Sequence, residues 1–404
     1  MATSLRIIMV VPEPPLPFGG AAARIYYTTQ KGLVARGYQL TTFIAAATPQ
    51  ARAEAERLFP PESYDLRFFT PSPAPLGRSL LGKWRSLRAP MSHQFDARFH
   101  AALASELHQG FDILHLEDLW TGYVGINDRD KVLLNSHCLQ AIDLQGERPG
   151  SVKDRLLMSR SLHMEQKLLR LYREQVTLTP ELAAAIRQVN PKAHVEVIPL
   201  PLELDLYPYI ADGQRPHAKR LALIGSFQWA PTRSAARRLL TRLWPRILAL
   251  VPDAELELTG WGAQHVLSGY ERLGKVTIND SVPDVRPFFE RASVLLYAPE
   301  HASGMKVKVL ECMALGVPVV TTPDGVEGLP AMPPCETSAQ EPWAMLGAND
   351  DALVQAAVTL LNDTARQNRQ RQAARQMLQT HCDPARILDQ YEAVYARIME
   401  ARGR

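Results

Sequence analysis

A chain of 404 residues, 46% hydrophobic and 22% charged, has the composition of an ordinary soluble globular protein, and its length favours two domains over a single core. Forty-five basic against forty-two acidic residues leave a formal charge of +3, too small to imply nucleic-acid binding, so any basic function is local. The four cysteines, Cys138, Cys312, Cys335 and Cys382, form no C-x-x-C pair and no cluster with histidine, which argues against a zinc site or a disulfide framework and for reduced thiols in cytoplasm.

LRIIMVVPEPP is too short and too soon broken by proline for a signal peptide, and no run approaches the ~20 apolar residues of a membrane span. A cytoplasmic protein is expected, with association at the inner membrane surface open. In chain order, LRIIMVV reads as a buried strand, PEPPLPFGG as a loop, AAARIYYTTQKGLVARGY as a helix with Gly37 near its end, and QLTTFIAA as the next strand. The unit recurs in the short apolar runs FDILHLED, KVLLNSH and REQVTLT, ending at VEVIPLPLELDLYP. After the turn-rich PYIADGQRPHAKR the pattern restarts: RLALIGSF as a strand, SAARRLLTRLWPRILALV as a helix, AELELTGWG and KVTIND as strands, DVRPFFERA as a helix, SVLLYAP as a strand, SGMKVKVLECMALG as a helix and VPVVTT as a strand.

This alternation predicts two successive parallel α/β domains, 1–204 and 219–382, joined by a linker at 205–218. A last amphipathic helix within 383–404 is free to pack back on the first domain. No repeat of solenoid length is present.

The chemistry concentrates in HASGMKVKVLE. Ser303 is placed to cap a helix and Gly304 to open its first turn, which puts Lys306 at the third helical position, where a capping box would want Glu or Gln. A helix start favours anions, so Lys306 and Lys308 there, at the carboxyl edge of a parallel sheet, describe a phosphate or diphosphate site. The alternative is that both amines snorkel into water at a cost of about 0.3–1 kcal/mol each. Glu311 shares a helix face with Lys308, either as an ion-pair partner or as an acceptor for ribose hydroxyls.

In PFGGAAAR, Gly19 and Gly20 permit close backbone approach to a ligand or simply a tight turn, and the loop lacks G-x-G-x-x-G spacing. His137 ends KVLLNSH at a carboxyl edge, open to a structural role or to one as donor or base. His115 is expected to pack inside the fold, while Glu117 and Asp118 face a cleft or are solvated. Asp128-Arg129-Asp130 resembles an Asp-x-Asp metal clamp but precedes a strand, so a turn is expected there, with no metal and no cofactor. The stretch 78–88 carries Arg78, Lys83, Arg85 and Arg88 among Leu80, Leu81, Trp84 and Leu87, as a membrane-surface or anionic-acceptor patch or as a solvated helix. Without a G-x-S-x-G elbow or a P-loop, serine hydrolases and nucleotide kinases lose support.

SGMKVKVLECMALGVPVVTTPDGVEGL, with GSFQWAPTRSAARRLL, PDVRPFFERASVLLYAP and VVPEPPLPFGG, resembles a family 4 (group 1) glycosyltransferase of the GT-B fold. The resemblance implies two Rossmann-like domains whose parallel sheets face across a cleft. It implies transfer of a sugar, with retention, from a nucleoside-diphosphate sugar to a hydroxyl of a glycan, lipid-linked or small-molecule acceptor. Because stabilising the departing diphosphate is the largest service a protein can offer here, and no paired carboxylates for a double displacement can be read from the sequence, front-face substitution is expected. By position, Glu311 would hold the ribose, Lys306 and Lys308 the diphosphate, Gly19 and Gly20 would approach it from the other domain, and His137 would lie near the transferred sugar. Ser303, Gly304 and Met305 would form the donor-binding turn, Ser281 and Val282 would meet the base, and Ser226 the phosphates. The chain departs from the family pattern at Ser303, where a glutamate is common, at Asp280 in place of glycine, and at Pro231-Thr232 in place of Pro-Asn. A nucleotide-sugar epimerase or hydrolase on the same fold, or a non-catalytic sugar-nucleotide-binding protein, are the competing expectations.

Overall fold

Runs such as Ile7–Val11 are fully buried, as strands covered on both faces must be, and this makes them continuous rather than alternating hydrophobic stretches. The computed structural model describes residues 5–18, 20–70, 95–146, 149–210, 218–282, 284–332 and 341–403. The chain divides into two units, one comprising Met1–Ala141, Arg148–Leu202 and Pro384–Arg404, the other Ile142–Glu147 and Glu203–Asp383.

The first unit is built on a seven-stranded sheet of β1 (Arg6–Val11), β2 (Gln39–Ile44), β3 (Asp65–Phe68), β4 (Ile113–Glu117), β5 (Val132–Ser136), β6 (Glu174–Thr177) and β7 (His194–Val197). The order is β3-β2-β1-β4-β5-β6-β7 and every pairing is parallel. The direction of winding therefore reverses between β1 and β4, the place where ligands bind in open α/β sheets. The terminal helix Pro384–Arg402 belongs to this unit and lies against helix Ala21–Ala35 so closely that a Cβ on Gly32 would come 2.2 Å from Leu388 Cδ1. Its Tyr395 hydroxyl lies 2.8 Å from His115 Nδ1, and its Tyr391 hydroxyl accepts from Asn135 Nδ2 at 2.8 Å.

The second unit carries a six-stranded parallel sheet of β8 (Arg220–Ile224), β9 (Glu255–Gly260), β10 (Val276–Asp280), β11 (Val294–Tyr297), β12 (Val319–Thr321) and β13 (Met345–Leu346), ordered β10-β9-β8-β11-β12-β13. Its reversal lies between β8 and β11. The helix expected over SAARRLLTRLWPRILALV is broken into Ala230–Arg238, a π turn over Leu239–Leu243 and Trp244–Leu250. Pro245, in the first turn of the last segment, has no N–H to continue the ladder, so the widened turn falls just before it.

Candidate functional site

At the carboxyl end of β8 the chain passes through Gly225 (φ 149°), and beside it β9 ends in Gly260 (φ 143°). A Cβ on Gly260 would stand 2.0 Å from the Gly225 carbonyl oxygen, and one on Gly225 would stand 2.6 Å from Lys308 Cε. Only glycine lets the Lys308 side chain cross the strand end this closely. Ser226, next along, is half-buried.

Lys308 donates from Nζ to Thr232 Oγ1 at 2.8 Å, and its amine lies 4.8 Å from the Trp229 ring and 4.4 Å from the Tyr297 ring. Among the described residues no carboxylate lies within ion-pair distance of it. Burial, and then the charge of Lys306, push its pKa down to about 7, with Glu311 opposing. A cation held by a hydroxyl and two aromatic faces has donor capacity left for an anion.

The helix behind this lysine starts later than its sequence suggests. It spans Val307–Ala314, with Lys306 at the N-cap position and Lys308 second in the helix. Gly304 is left-handed (φ 72°) and Lys306 extended, so the segment from Ser303 to Lys306 is a turn. Ser303 does not cap it, because its N–H and its Oγ–H both donate to Asp143 Oδ1 at 2.7 Å. Met305 is buried beside it.

The two lysines are differently placed. The Lys306 side chain is fully buried; its Nζ donates to the Gly304 carbonyl and lies 3.4 Å from Glu327 Oε2. Burial lowers its pKa, opposed by Glu327 and then by Asp143. Lys306 thus closes the turn, whereas Lys308 is half-buried with no carboxylate beside its amine among the described residues. Glu311 is buried and accepts from the Tyr207 hydroxyl at 3.2 Å. Asp143 is also buried, with Oδ2 accepting from the Trp229 indole N–H at 3.2 Å. After β10, Ser281 is exposed in a left-handed conformation (φ 48°) with its N–H on the Gly260 carbonyl at 3.3 Å, and Val282 is half-buried.

In the first unit, Gly20 ends the loop after β1 as the N-cap of helix Ala21–Ala35, and a Cβ there would come 2.5 Å from Glu13 Oε1. Gly19 and the stretch 78–88 lie outside the described residues. His137 follows β5, with Nε2 2.8 Å from Glu117 Oε2; His115 Nε2 is 3.0 Å from Glu117 Oε1, close enough for a charge contact but not aligned as a hydrogen bond. Asn135 Nδ2 donates to Glu117 Oε2 at 3.0 Å.

Burial alone would raise the Glu117 pKa, but the two histidines outweigh it and hold the carboxyl at about 2. Burial likewise lowers that of His137, and the bond to Glu117 and its charge more than compensate, so the net shift is upward. Asp118 is left-handed (φ 75°), accepts from the Trp120 N–H at 2.9 Å, and is raised by burial. Glu117 is therefore no solvated loop carboxylate. It is buried between two histidines, because β4 places His115 and Glu117 on one face, two residues apart, and His137 follows the neighbouring strand. Asp128, Arg129 and Asp130 lie outside regular structure just before β5.

Residues 218–363 match the model of the family described as Glycosyl transferases group 1. The fold is similar to sucrose-phosphate synthase from Thermosynechococcus elongatus, with a TM-score of 0.72 at 17% identity over 98% of this chain and 100% of that one. It is also similar to Anabaena HepE in complex with UDP and glucose (TM-score 0.66, 13% identity, 97% of this chain and 100% of that one). A third likeness is to WaaG, a glycosyltransferase involved in lipopolysaccharide biosynthesis (0.62, 13%, 95% and 98%). No curated protein sequence matches. The family match covers much of the second unit, and the chain has the GT-B fold with its two parallel α/β sheets.

Proposed function

We propose that the protein transfers a hexosyl group, with retention, from a nucleoside-diphosphate sugar to a hydroxyl of a glycan, lipid-linked or small-molecule acceptor, in the biosynthesis of a polysaccharide, glycolipid or glycoconjugate. The observation that carries this reading is the Lys308 amine, at the start of helix Val307–Ala314 and beside the β8/β11 reversal, with no carboxylate to neutralise it among the described residues. A diphosphate leaving group needs charge stabilisation as the bond from sugar C1 to phosphate oxygen breaks, and fixed donors in a dry site supply it at low reorganisation cost. Lys308 and the helix N–H groups meet that oxygen, and Lys306 adds its charge from behind the turn. In a front-face substitution the acceptor oxygen forms its bond to C1 on the side the diphosphate leaves, and its proton passes to the departing phosphate oxygen.

Glu311 is assigned to the ribose hydroxyls, Ser226 to the phosphate side, Gly304 and Met305 to the donor-binding turn, and Ser281 with Val282 to the base. In the first unit, His137 is assigned to a hydroxyl of the transferred sugar, and Gly19 and Gly20 to close approach at the diphosphate. The UDP bound in the complexes of the Anabaena protein favours a nucleotide-sugar donor. Two lysines provide the cationic charge, so no metal or cofactor enters, and no nucleic acid is a partner. A cytoplasmic location is proposed; no helix among the described residues is long and apolar enough to cross a membrane.

The test is incubation with UDP-, GDP-, ADP- and dTDP-sugars and a panel of hydroxyl acceptors, with NMR assignment of the product anomer. Acceptor-dependent release of nucleoside diphosphate and a retained anomer are expected. An inverted anomer overturns the retaining step, sugar isomerisation without acceptor favours an epimerase, and tight binding without turnover favours a non-catalytic binding protein.

A further inference from the structure

Position 303 carries no acidic side chain, yet a carboxylate is bound there. Ser303 spends both of its donors on Asp143 Oδ1, at 2.7 Å each, across 160 residues of sequence, and the Trp229 indole N–H meets the other oxygen at 3.2 Å. Asp143 is 7% exposed, and placing a carboxylate there costs free energy that three donors only partly return. Burial raises its pKa in spite of the Ser303 bonds and the nearby charge of Lys306.

What the carboxylate touches explains its place. Ser303 begins the turn that passes through left-handed Gly304 to Lys306 at the helix N-cap. Trp229 is one of the two aromatic walls of Lys308, at 4.8 Å from its amine. Asp143 is the group that grips both. We propose that Asp143 is a positioning residue for the anion site, locking the Ser303-to-Lys306 turn and the Trp229 wall in the geometry that receives a diphosphate. The proposal rests on the diphosphate reading of Lys308.

The charge of Asp143 and its grip act in opposite directions, and this makes the role testable. As a negative charge close to Lys306 it disfavours an anionic ligand, so neutralising it would tighten binding if charge were all that mattered. As a clamp it favours the ligand, so the same change would loosen binding. Asp143→Asn keeps the shape but offers one accepting atom instead of two, and sets an amide N–H against the donors of either Ser303 or Trp229. Trp229→Phe removes one opposing donor and keeps a ring beside Lys308, so the asparagine becomes compatible in that background.

The experiment is calorimetric titration of UDP, GDP and ADP into wild type, D143N, W229F and the double variant, at a temperature where circular dichroism shows each to be folded. The expected result is a roughly 10- to 100-fold loss in D143N, and a loss of under about threefold when the same change is made on W229F. Equal or tighter binding by D143N, or losses that simply multiply, overturns the positioning role while leaving diphosphate binding by wild type intact. Absence of binding by wild type to all three nucleotides overturns both readings. Should D143N not fold, S303A and W229F each delete one donor and leave the aspartate in place. A roughly 3- to 10-fold weakening in each is then expected, and unchanged affinity in both overturns the role.

Discussion

Lys308→Met removes one positive charge from the anion site while keeping most of the side-chain volume, and its consequences can be worked from what surrounds the amine. The lysine has a hydroxyl at 2.8 Å and two ring faces within 4.8 Å, so it gives up no ion pair with a described residue when it turns to a ligand. Loss of a charge-assisted hydrogen bond to phosphate is worth about 1.5–3 kcal/mol, or roughly 10- to 150-fold in affinity. The pH dependence carries a second signature. In the free protein the amine titrates at about 7, and an anionic ligand holds the proton on, so affinity is greatest below that pH and falls by up to about tenfold per unit above it.

Calorimetry with UDP, GDP and ADP between about pH 6 and 9 reads both effects, and K308M should show weaker binding without the slope. Stability moves the other way. Because the folded pKa lies below the ordinary 10.5, the unfolded state binds more protons between about 7 and 10.5, so the wild type gains stability as pH rises through that window. K308M is therefore expected to melt higher at pH 7 and below, with the advantage gone near 10.5. Binding within twofold of wild type, with the same pH slope, would refute the role given to Lys308.

Glu117→Gln removes the buried carboxylate that stands 2.8 Å from His137 and 3.0 Å from His115, and should destabilise the first unit by about 3–5 kcal/mol in chemical denaturation. Since the lowered Glu117 pKa gives stability present above 4.5 and lost as pH falls through about 2, and the raised His137 pKa gives stability present below 6.5 and lost as pH rises through its folded value, wild type should be most stable between 4.5 and 6.5. E117Q should flatten that maximum in thermal melts, and an unchanged profile would contradict the ion-pair account. Gly225→Ala puts a Cβ 2.6 Å from Lys308 Cε at φ 149°, so both the melting temperature and nucleoside-diphosphate affinity should fall; a drop in the first alone would separate the glycine from the site. Sugar transfer should persist in EDTA, and activity lost to EDTA and restored by Mg²⁺ would overturn the metal-free proposal.

The long buried runs were legible from sequence because both faces of a parallel strand are covered, so β1, β4, β5, β8 and β11 stand out as apolar blocks. Edge strands carry no such mark. β3 reads DLRF, with no fully buried residue, and β13 is two residues long, so neither announces itself. The lysines at the helix start were visible as a conflict between charge and macrodipole. Their division was not, because it depends on Gly304 turning left-handed and on Glu327 lying beside Lys306, 21 residues away in sequence. Asp143 gave no signal at all: QAIDLQGER has neither motif nor periodicity, and its meaning comes from a serine 160 residues on. Glu117 and Asp118 misled for a related reason. A carboxylate at a strand end suggests solvent, and only the pairing of β4 with β5 and the cover of Tyr391 and Tyr395 show that Glu117 sits in the interior.

The proposed chemistry turns on where a diphosphate binds. A crystal structure of the protein with UDP or GDP is the most direct measurement, and it should place phosphate oxygens within hydrogen-bond distance of Lys308 Nζ and the first N–H groups of helix Val307–Ala314, with Lys306 still turned onto Gly304 and Glu327. A nucleotide bound with its phosphates away from Lys308, or held there through a metal ion instead of the lysine, would contradict it.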